Sequence, residues 1–299
     1  GTYLVSGGLS GVGLETARWL ATKGAGRLVL FGRRGLTREA EPALAEMRAA
    51  GAEVWAEQLD VADRAGLSAL LSRVRASGFP LRGVIHSAGT LDNAALASQD
   101  KSRFETVFRA KHDGAAAIDA LTRIDPIEIF VLYSSVASVL GAAGQINHAA
   151  ANAYMDTFAH ERRSHGLPAL SINWGAWSDV GAATGDVVMA HLSAQGMAAF
   201  TPAQGMAALE GLLAEGDAQA MVARIDWRVY LGTRSASGVP PFFGEFVSAK
   251  PSRAAAVQAA APSADGRAEI EAAPVARRPA LFSGLVTRIA AGVIGFGAD

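Results

Sequence analysis

Two stretches of this sequence hold residues whose types and spacing could do chemistry. The first is Ser6-Gly7-Gly8-Leu9-Ser10-Gly11-Val12-Gly13, between an apolar strand predicted over Thr2–Val5 and a helix whose apolar positions are Leu14, Ala17, Trp19, Leu20 and Ala21. Glycines there let the backbone approach a pyrophosphate, and a helix N-terminus offers free N–H groups and the positive end of a dipole. The second runs from Tyr133 to Tyr154. An apolar strand predicted over Ile127–Leu132 leads to Ser134-Ser135, then a small-residue loop, then a helix carrying Asn147, His148 and Asn152. Hydroxyls at a strand end, facing the first turns of the next helix, are where open α/β sheets place their chemistry.

The elements that must position these groups follow from the pattern of apolar runs. A second strand over Arg27–Phe31 ends in Gly32-Arg33-Arg34-Gly35. An acid at that tip would bind the ribose 2′-OH of NAD, whereas arginines accommodate the 2′-phosphate of NADP, so Arg33 and Arg34 point to NADPH. A helix over Glu39–Ala50 and a strand over Glu53–Leu59 lead to Asp60-Val61. Asp60 could accept from an adenine amino group, or could cap the helix that starts near Asp63. The fourth strand, Leu81–Ile85, opens into His86-Ser87-Ala88-Gly89, where Ala88 and Gly89 leave room for a ribose and nicotinamide. One long helix is predicted over Asp100–Leu121, with Phe104, Val107, Phe108, Ala115 and Ile118 on its buried side and Lys111 near its middle.

Ala169–Asn173 reads as a sixth strand and Ala218–Ile225 as a seventh. Between them Met189, Leu192 and Met197 recur at helical spacing, either as a lid over a substrate or as ordinary packing, and Thr201-Pro202 opens a further helix. From about Thr233 the composition turns to Gly, Ser, Ala, Pro and Arg, which reads as a linker over residues 233–280. Pro240-Pro241-Phe242-Phe243 and Phe246 within it could dock on the preceding domain. Leu281–Phe296 is apolar-periodic again, as the first helix of a further domain over 281–299. The abrupt start at Gly1-Thr2-Tyr3 reads as a piece of a longer polypeptide.

Composition narrows the function. Half of the 299 residues are hydrophobic, enough for a well-buried core, and the net charge of −1 offers no footprint for nucleic acid or an anionic membrane. The chain has no cysteine, which excludes disulfides and thiol chemistry and suits a reducing cytoplasm. No apolar run reaches the ~18 residues that span a bilayer. The six histidines lack metal-ligand spacing; His160 and His165 fall at a basic helix end with Arg162 and Arg163.

Taken in order, these motifs give residues 1–232 a specific resemblance to the ketoreductase domain of modular polyketide synthases, a short-chain dehydrogenase relative. They are the Ser6–Gly13 turn, Arg33-Arg34, His86-Ser87-Ala88-Gly89, Ala110-Lys111-His112-Asp113-Gly114-Ala115, Ser134-Ser135-Val136-Ala137-Ser138, Ala149-Ala150-Ala151-Asn152-Ala153 and Asn173-Trp174-Gly175. The resemblance implies a Rossmann-like, doubly wound α/β fold with a seven-stranded parallel sheet in the order 3-2-1-4-5-6-7. It implies NADPH held by Gly7, Gly8, Leu9, Ser10, Gly11, Val12, Gly13, Arg33, Arg34, Asp60, Val61, Ala88 and Gly89. It also implies a β-ketoacyl thioester on an acyl carrier protein as substrate, neighbouring synthase domains as partners, a pseudo-domain before residue 1 and a carrier protein beginning near Leu281.

In this family the catalytic Lys and Asn exchange places relative to ordinary short-chain dehydrogenases, which assigns the roles to Lys111 and Asn152 beside Ser135. The family tyrosine, which hydrogen-bonds the carbonyl oxygen and gives the proton, falls on His148. A histidine can donate a proton near neutrality, although Lys111 would disfavour its charged form. Two readings stay open, an NADPH-dependent β-ketoacyl reductase using His148 and a reductively silent scaffold between synthase domains. A free-standing dehydrogenase acting on a small ketone is a third, weaker one. Leu91-Asp92-Asn93 and Leu140 match neither stereochemical pattern of the family.

Overall fold

The computed structural model describes residues 1–181, 185–233, 239–247, 273–274, 277–279 and 281–283. Its centre is a parallel sheet of seven strands: β1 Thr2–Ser6, β2 Arg27–Gly32, β3 Glu53–Gln58, β4 Leu81–His86, β5 Ile129–Ser135, β6 Leu170–Trp174 and β7 Gln219–Val222. Their order is β3-β2-β1-β4-β5-β6-β7, with the chain reversing direction of travel across the sheet after β3. The predicted α/β class and strand order therefore hold; the seventh strand is shorter than Ala218–Ile225.

The five inner strands are short, mostly apolar runs buried on both faces, as parallel strands covered by helices must be, whereas the edge strands β3 and β7 are largely half-exposed. On one face α1 (Gly11–Thr22), α2 (Glu41–Ala49) and α9 (Pro202–Glu215) pack Leu20, Leu44, Met47, Met206 and Leu209 against Leu28, Leu30, Val131 and Ile172. On the other, α3 (Arg64–Ala76), α5 (Gly114–Thr122) and α7 (Ile146–Ser164) bring Leu67, Leu71, Ile118, Met155 and Phe158 onto Leu4, Val29, Val84 and Leu132. Local signals start the helices. Asp63 accepts from the Gly66 amide at 3.0 Å to cap α3. Thr201 and Gln204 form a reciprocal capping box with Pro202 in the first turn of α9.

Two expectations need correction. The helix predicted over Asp100–Leu121 is broken into α4 (Lys101–Phe108), a π-turn over Arg109–Asp113, and α5. The extra residue of the π-turn rotates the downstream face by about 100°, so positions phased as one continuous helix fall on different faces either side of it. Phe104 and Phe108 are only half-buried; with His112 and Tyr154 they form a ladder of rings with centroids 6.0, 6.0 and 4.2 Å apart. The buried side of α4 is carried by Val107.

Residues 1–184 with 199–224 form one compact unit; residues 185–198 with those from 225 onward form a second. The second unit contains α8 (Asp186–Ala194), which has no buried residue, so Met189 and Leu192 are not core positions. It also contains α10 (Trp227–Gly232), where Phe243 is buried beside Tyr230 and Trp227, and Phe246 stacks on Trp227 at 4.3 Å. Most of the predicted linker over 233–280, and the predicted helix beyond residue 283, lie outside the described residues.

In the first unit Gly205 lies on α9 beneath Trp177, where a Cβ would stand 2.2 Å from the indole. That ring is held between Trp174 and Phe200, at 4.9 and 4.8 Å, and has no free side to move into. Alanine would gain about 1 kcal/mol of helix propensity, and overpacking costs ~1–3 kcal/mol. Overpacking wins: Gly205→Ala is expected to lower the urea midpoint by the equivalent of about 1–2 kcal/mol.

Candidate active site

At the carboxyl end of β1 the chain turns through Gly7 and Gly11, at φ +70° and +53°, where a side chain would be strained. At Gly13 a Cβ would lie 2.4 Å from the Gly7 carbonyl and from Ser87 Oγ, so only glycine lets α1 start this close to the strand tips. Ser10 occupies the N-cap of α1 without making a side-chain cap, and the first turn has no acid. Its amides and dipole are left to an anion. Arg33 and Arg34 are exposed at the tip of β2, where Arg33 donates to Thr90 Oγ1 at 2.6 Å. Asp60 does not cap α3, which Asp63 does. It accepts from the Ala62 amide at 3.0 Å and from Arg109 Nε at 3.1 Å. Partial burial opposes the charge on Asp60, but those donors and Arg33 hold its carboxyl below the usual range. Val61 is a core residue, 4% exposed, packed under Gly114. The cradle, the free helix end and the two arginines fit a dinucleotide.

Further along the same edge, β5 ends at Ser134 and Ser135. Ser135 Oγ accepts from the Ala137 amide at 3.2 Å, an arrangement that uses a lone pair and not the hydroxyl hydrogen. Lys111 leaves the π-turn and runs, buried, beneath this tip; its Nζ donates to the Tyr133 carbonyl at 2.9 Å. Gly89 borders it, with a Cβ there 3.4 Å from Lys111 Cε. Burial lowers the Lys111 amine to about 8, and Asp156 works in the opposite direction. On α7, Asn152 is fully buried and donates to the His148 carbonyl one turn back, at 2.7 Å. Burial first, then the charge of Lys111, push the His148 imidazole down to about 3. It is neutral at pH 7. His148 Nδ1 and Asn152 Oδ1 are both enclosed and meet no hydrogen-bond partner among the described residues. Tyr154 lies on another face of α7, against His112 and Phe158.

A model of the KR domain family matches residues 1–179. The chain belongs to the ketoreductase, or KR, domain family of modular polyketide synthases, within the short-chain dehydrogenase superfamily. The KR domain is 43% identical over 229 residues to polyketide synthase GfsB of Streptomyces halstedii, covering 76% of this chain and 4% of that protein. It is 39% identical over 261 residues to erythronolide synthase EryA3 of Saccharopolyspora erythraea, covering 87% of this chain and 8% of that one. Among solved structures, A-type ketoreductases from a modular polyketide synthase superpose with a TM-score of 0.78 at 39% identity, covering 81% of this chain and 51% of theirs. The first ketoreductase of the tylosin synthase gives 0.73 at 39%, covering 80% and 52%. The KR domain thus spans about half of those solved chains and a small fraction of the synthases. Domains of this superfamily bind a nicotinamide cofactor, which the glycine cradle suits.

Among the described residues, no group of three or more metal-ligating side chains comes together and no helix is long and apolar enough to cross a membrane. The sequence reading missed Asp156. It accepts from Ser171 Oγ at 2.6 Å, Ser138 Oγ at 2.8 Å and Asn173 Nδ2 at 2.8 Å, tying α7 to β6 and to the turn after β5. Asn173 also donates to Ser134 Oγ at 3.1 Å. An acid four residues past Asn152 on an otherwise small, apolar face was the available signal. Asp156→Ala removes the acceptor shared by Ser171, Ser138 and Asn173 and the charge facing Lys111. It is expected to cost about 2–4 kcal/mol in urea unfolding.

Proposed function

We propose that this KR domain uses NADPH to reduce a β-ketoacyl thioester carried by an acyl carrier protein, among neighbouring synthase domains, and does so slowly because His148 does not supply the proton. The single observation behind the slow rate is the neutral, half-buried imidazole of His148 where the family has a phenol. Arg33 and Arg34 support NADPH over NADH. The carrier-bound substrate follows from the polyketide synthase relatives.

Bound in the glycine cradle, the nicotinamide would supply the hydride. The Ser135 hydroxyl donates to the substrate carbonyl oxygen and favours charge building there. Lys111, cationic below about 8, adds a second positive centre under the same strand tip. Asn152 holds the first turn of α7 through the His148 carbonyl. The proton that the new alkoxide needs comes from water. A positioned acid contributes typically 10²–10⁴-fold, or about 3–5 kcal/mol of barrier, and that share is what this site lacks. The same neutral His148 favours a second reading, in which the domain binds cofactor and is reductively silent.

NADPH oxidation with product analysis on a short β-ketoacyl thioester separates them. The first reading expects slow hydroxyacyl formation by the native chain and a gain of ~10²-fold or more in His148→Tyr. Product from the variant alone, or from neither protein, contradicts the first reading and supports the silent domain. Native turnover should show no rise as pH falls from about 7 to about 5, because His148 stays neutral there. It should decline above about 8, as Lys111 loses its proton.

A further inference from the structure

His86 ends β4 and is fully buried, beside Ser6 at the end of β1 in the strand register. Its Nδ1 lies 2.6 Å from Ser6 Oγ, a bond in which the serine hydroxyl donates to a neutral imidazole and the ring hydrogen sits on Nε2. Burial, then Lys111, push this imidazole down to about 3, so it carries no charge at working pH. Nε2 is enclosed and closes no hydrogen bond of ordinary geometry, yet the acceptors it faces are the carbonyls of Ala110 and Lys111.

Those two carbonyls belong to the π-turn. The Gly114 amide bonds back to the Arg109 carbonyl, where an unbroken α-helix would have taken Ala110. The Ala110 carbonyl thus loses its helical partner inside the core, where an unpaired acceptor is costly. Gly114 lets the turn settle onto the histidine; a Cβ there would stand 3.2 Å from His86 Cε1 and 2.7 Å from Val61 Cγ1. Ser6 in turn leads directly into Gly7, and its carbonyl accepts from Ser87 Oγ at 2.7 Å.

We propose that His86 is a positioning residue. Its imidazole, held by Ser6 on one nitrogen, offers the other to the Ala110 and Lys111 carbonyls of the π-turn, and so fixes where Lys111 leaves the helix. The start of the nucleotide turn and the origin of the buried lysine are then joined through one ring. This rests on the reading of Lys111 as part of the reductase site. The clamp itself is a property of the chain without cofactor.

The test is competitive labelling of the full chain with acetic anhydride across pH, reading Lys111 by mass spectrometry with exposed Lys101 as internal reference. The other groups facing Lys111 are Asp156, whose charge favours the ammonium, and the neutral His148. Native Lys111 should label slowly with a midpoint near 8. In His86→Phe, which fills the space without hydrogen bonds, the midpoint should climb by about one pH unit or more and the limiting rate should rise. His86→Gln, whose amide reaches the Nε2 position, should stay near native, whereas His86→Asn should follow the Phe variant. A packing role alone would not separate Gln from Asn. Unchanged Lys111 labelling in His86→Phe, or identical behaviour of Gln and Asn, overturns the proposal. If His86→Phe loses its circular dichroism signal, the Gln and Asn pair decides. Repeating the native series with NADPH tests the nucleotide reading separately, since protection of Lys111 depends on binding and the comparison without cofactor does not.

Discussion

Placing the Lys111 ammonium beneath the tip of β5 removes a cation from water, at an effective cost of several kcal/mol unless the surroundings compensate. The compensation is spread over distant parts of the chain. Tyr133 offers its carbonyl, Asp156 faces the charge from α7, and the π-turn lets the side chain leave its helix toward the strand tip. Asp156 is held in place facing that charge because Ser138, Ser171 and Asn173 donate to it. The strand ends, the start of α7 and the break between α4 and α5 therefore depend on one charge.

That charge also explains why histidine is a poor exchange for the family tyrosine. A nearby cation disfavours whichever form of a neighbour is more positive. For a phenol the result is useful, because the anion left after proton transfer becomes easier to form. For an imidazole the same field removes the proton that was to be given. Burial acts in the same direction, and the two together leave His148 neutral with Nδ1 unpartnered. On the proposed reading, the site keeps its means of polarising a carbonyl and has no side-chain acid.

How much of this was legible in the sequence depended on whether a signal was local. The Ser6–Gly13 turn, the strand runs, the Thr201-Pro202 start of α9 and Ser135, His148 and Asn152 as site candidates could be read from neighbours along the chain, whereas Lys111 was singled out by the family resemblance. The π-turn could not, because its extra residue rotates the downstream face by about 100° without a signal of its own; Phe104 and Phe108, phased with Ala115 and Ile118 as one continuous helix, were misread as buried for that reason. Asp156, Asn173 and His86 could not be assigned partners, since those partners lie on other strands and helices. Ser6 and His86 meet only because β1 and β4 are neighbours in the sheet. The burial of His148 itself, which with the charge of Lys111 sets the state of the imidazole, is likewise a consequence of the assembled fold.

The central claim is that His148 is a neutral imidazole at working pH, and its protonation can be read directly. Histidine-selective 15N labelling of the chain, with the His148 resonances identified by their loss in His148→Gln, would follow the ring from pH 9 down to about pH 5. The account predicts chemical shifts of an unprotonated imidazole throughout. A titration centred near the ordinary 6.5 would contradict it and return His148 to service as a general acid.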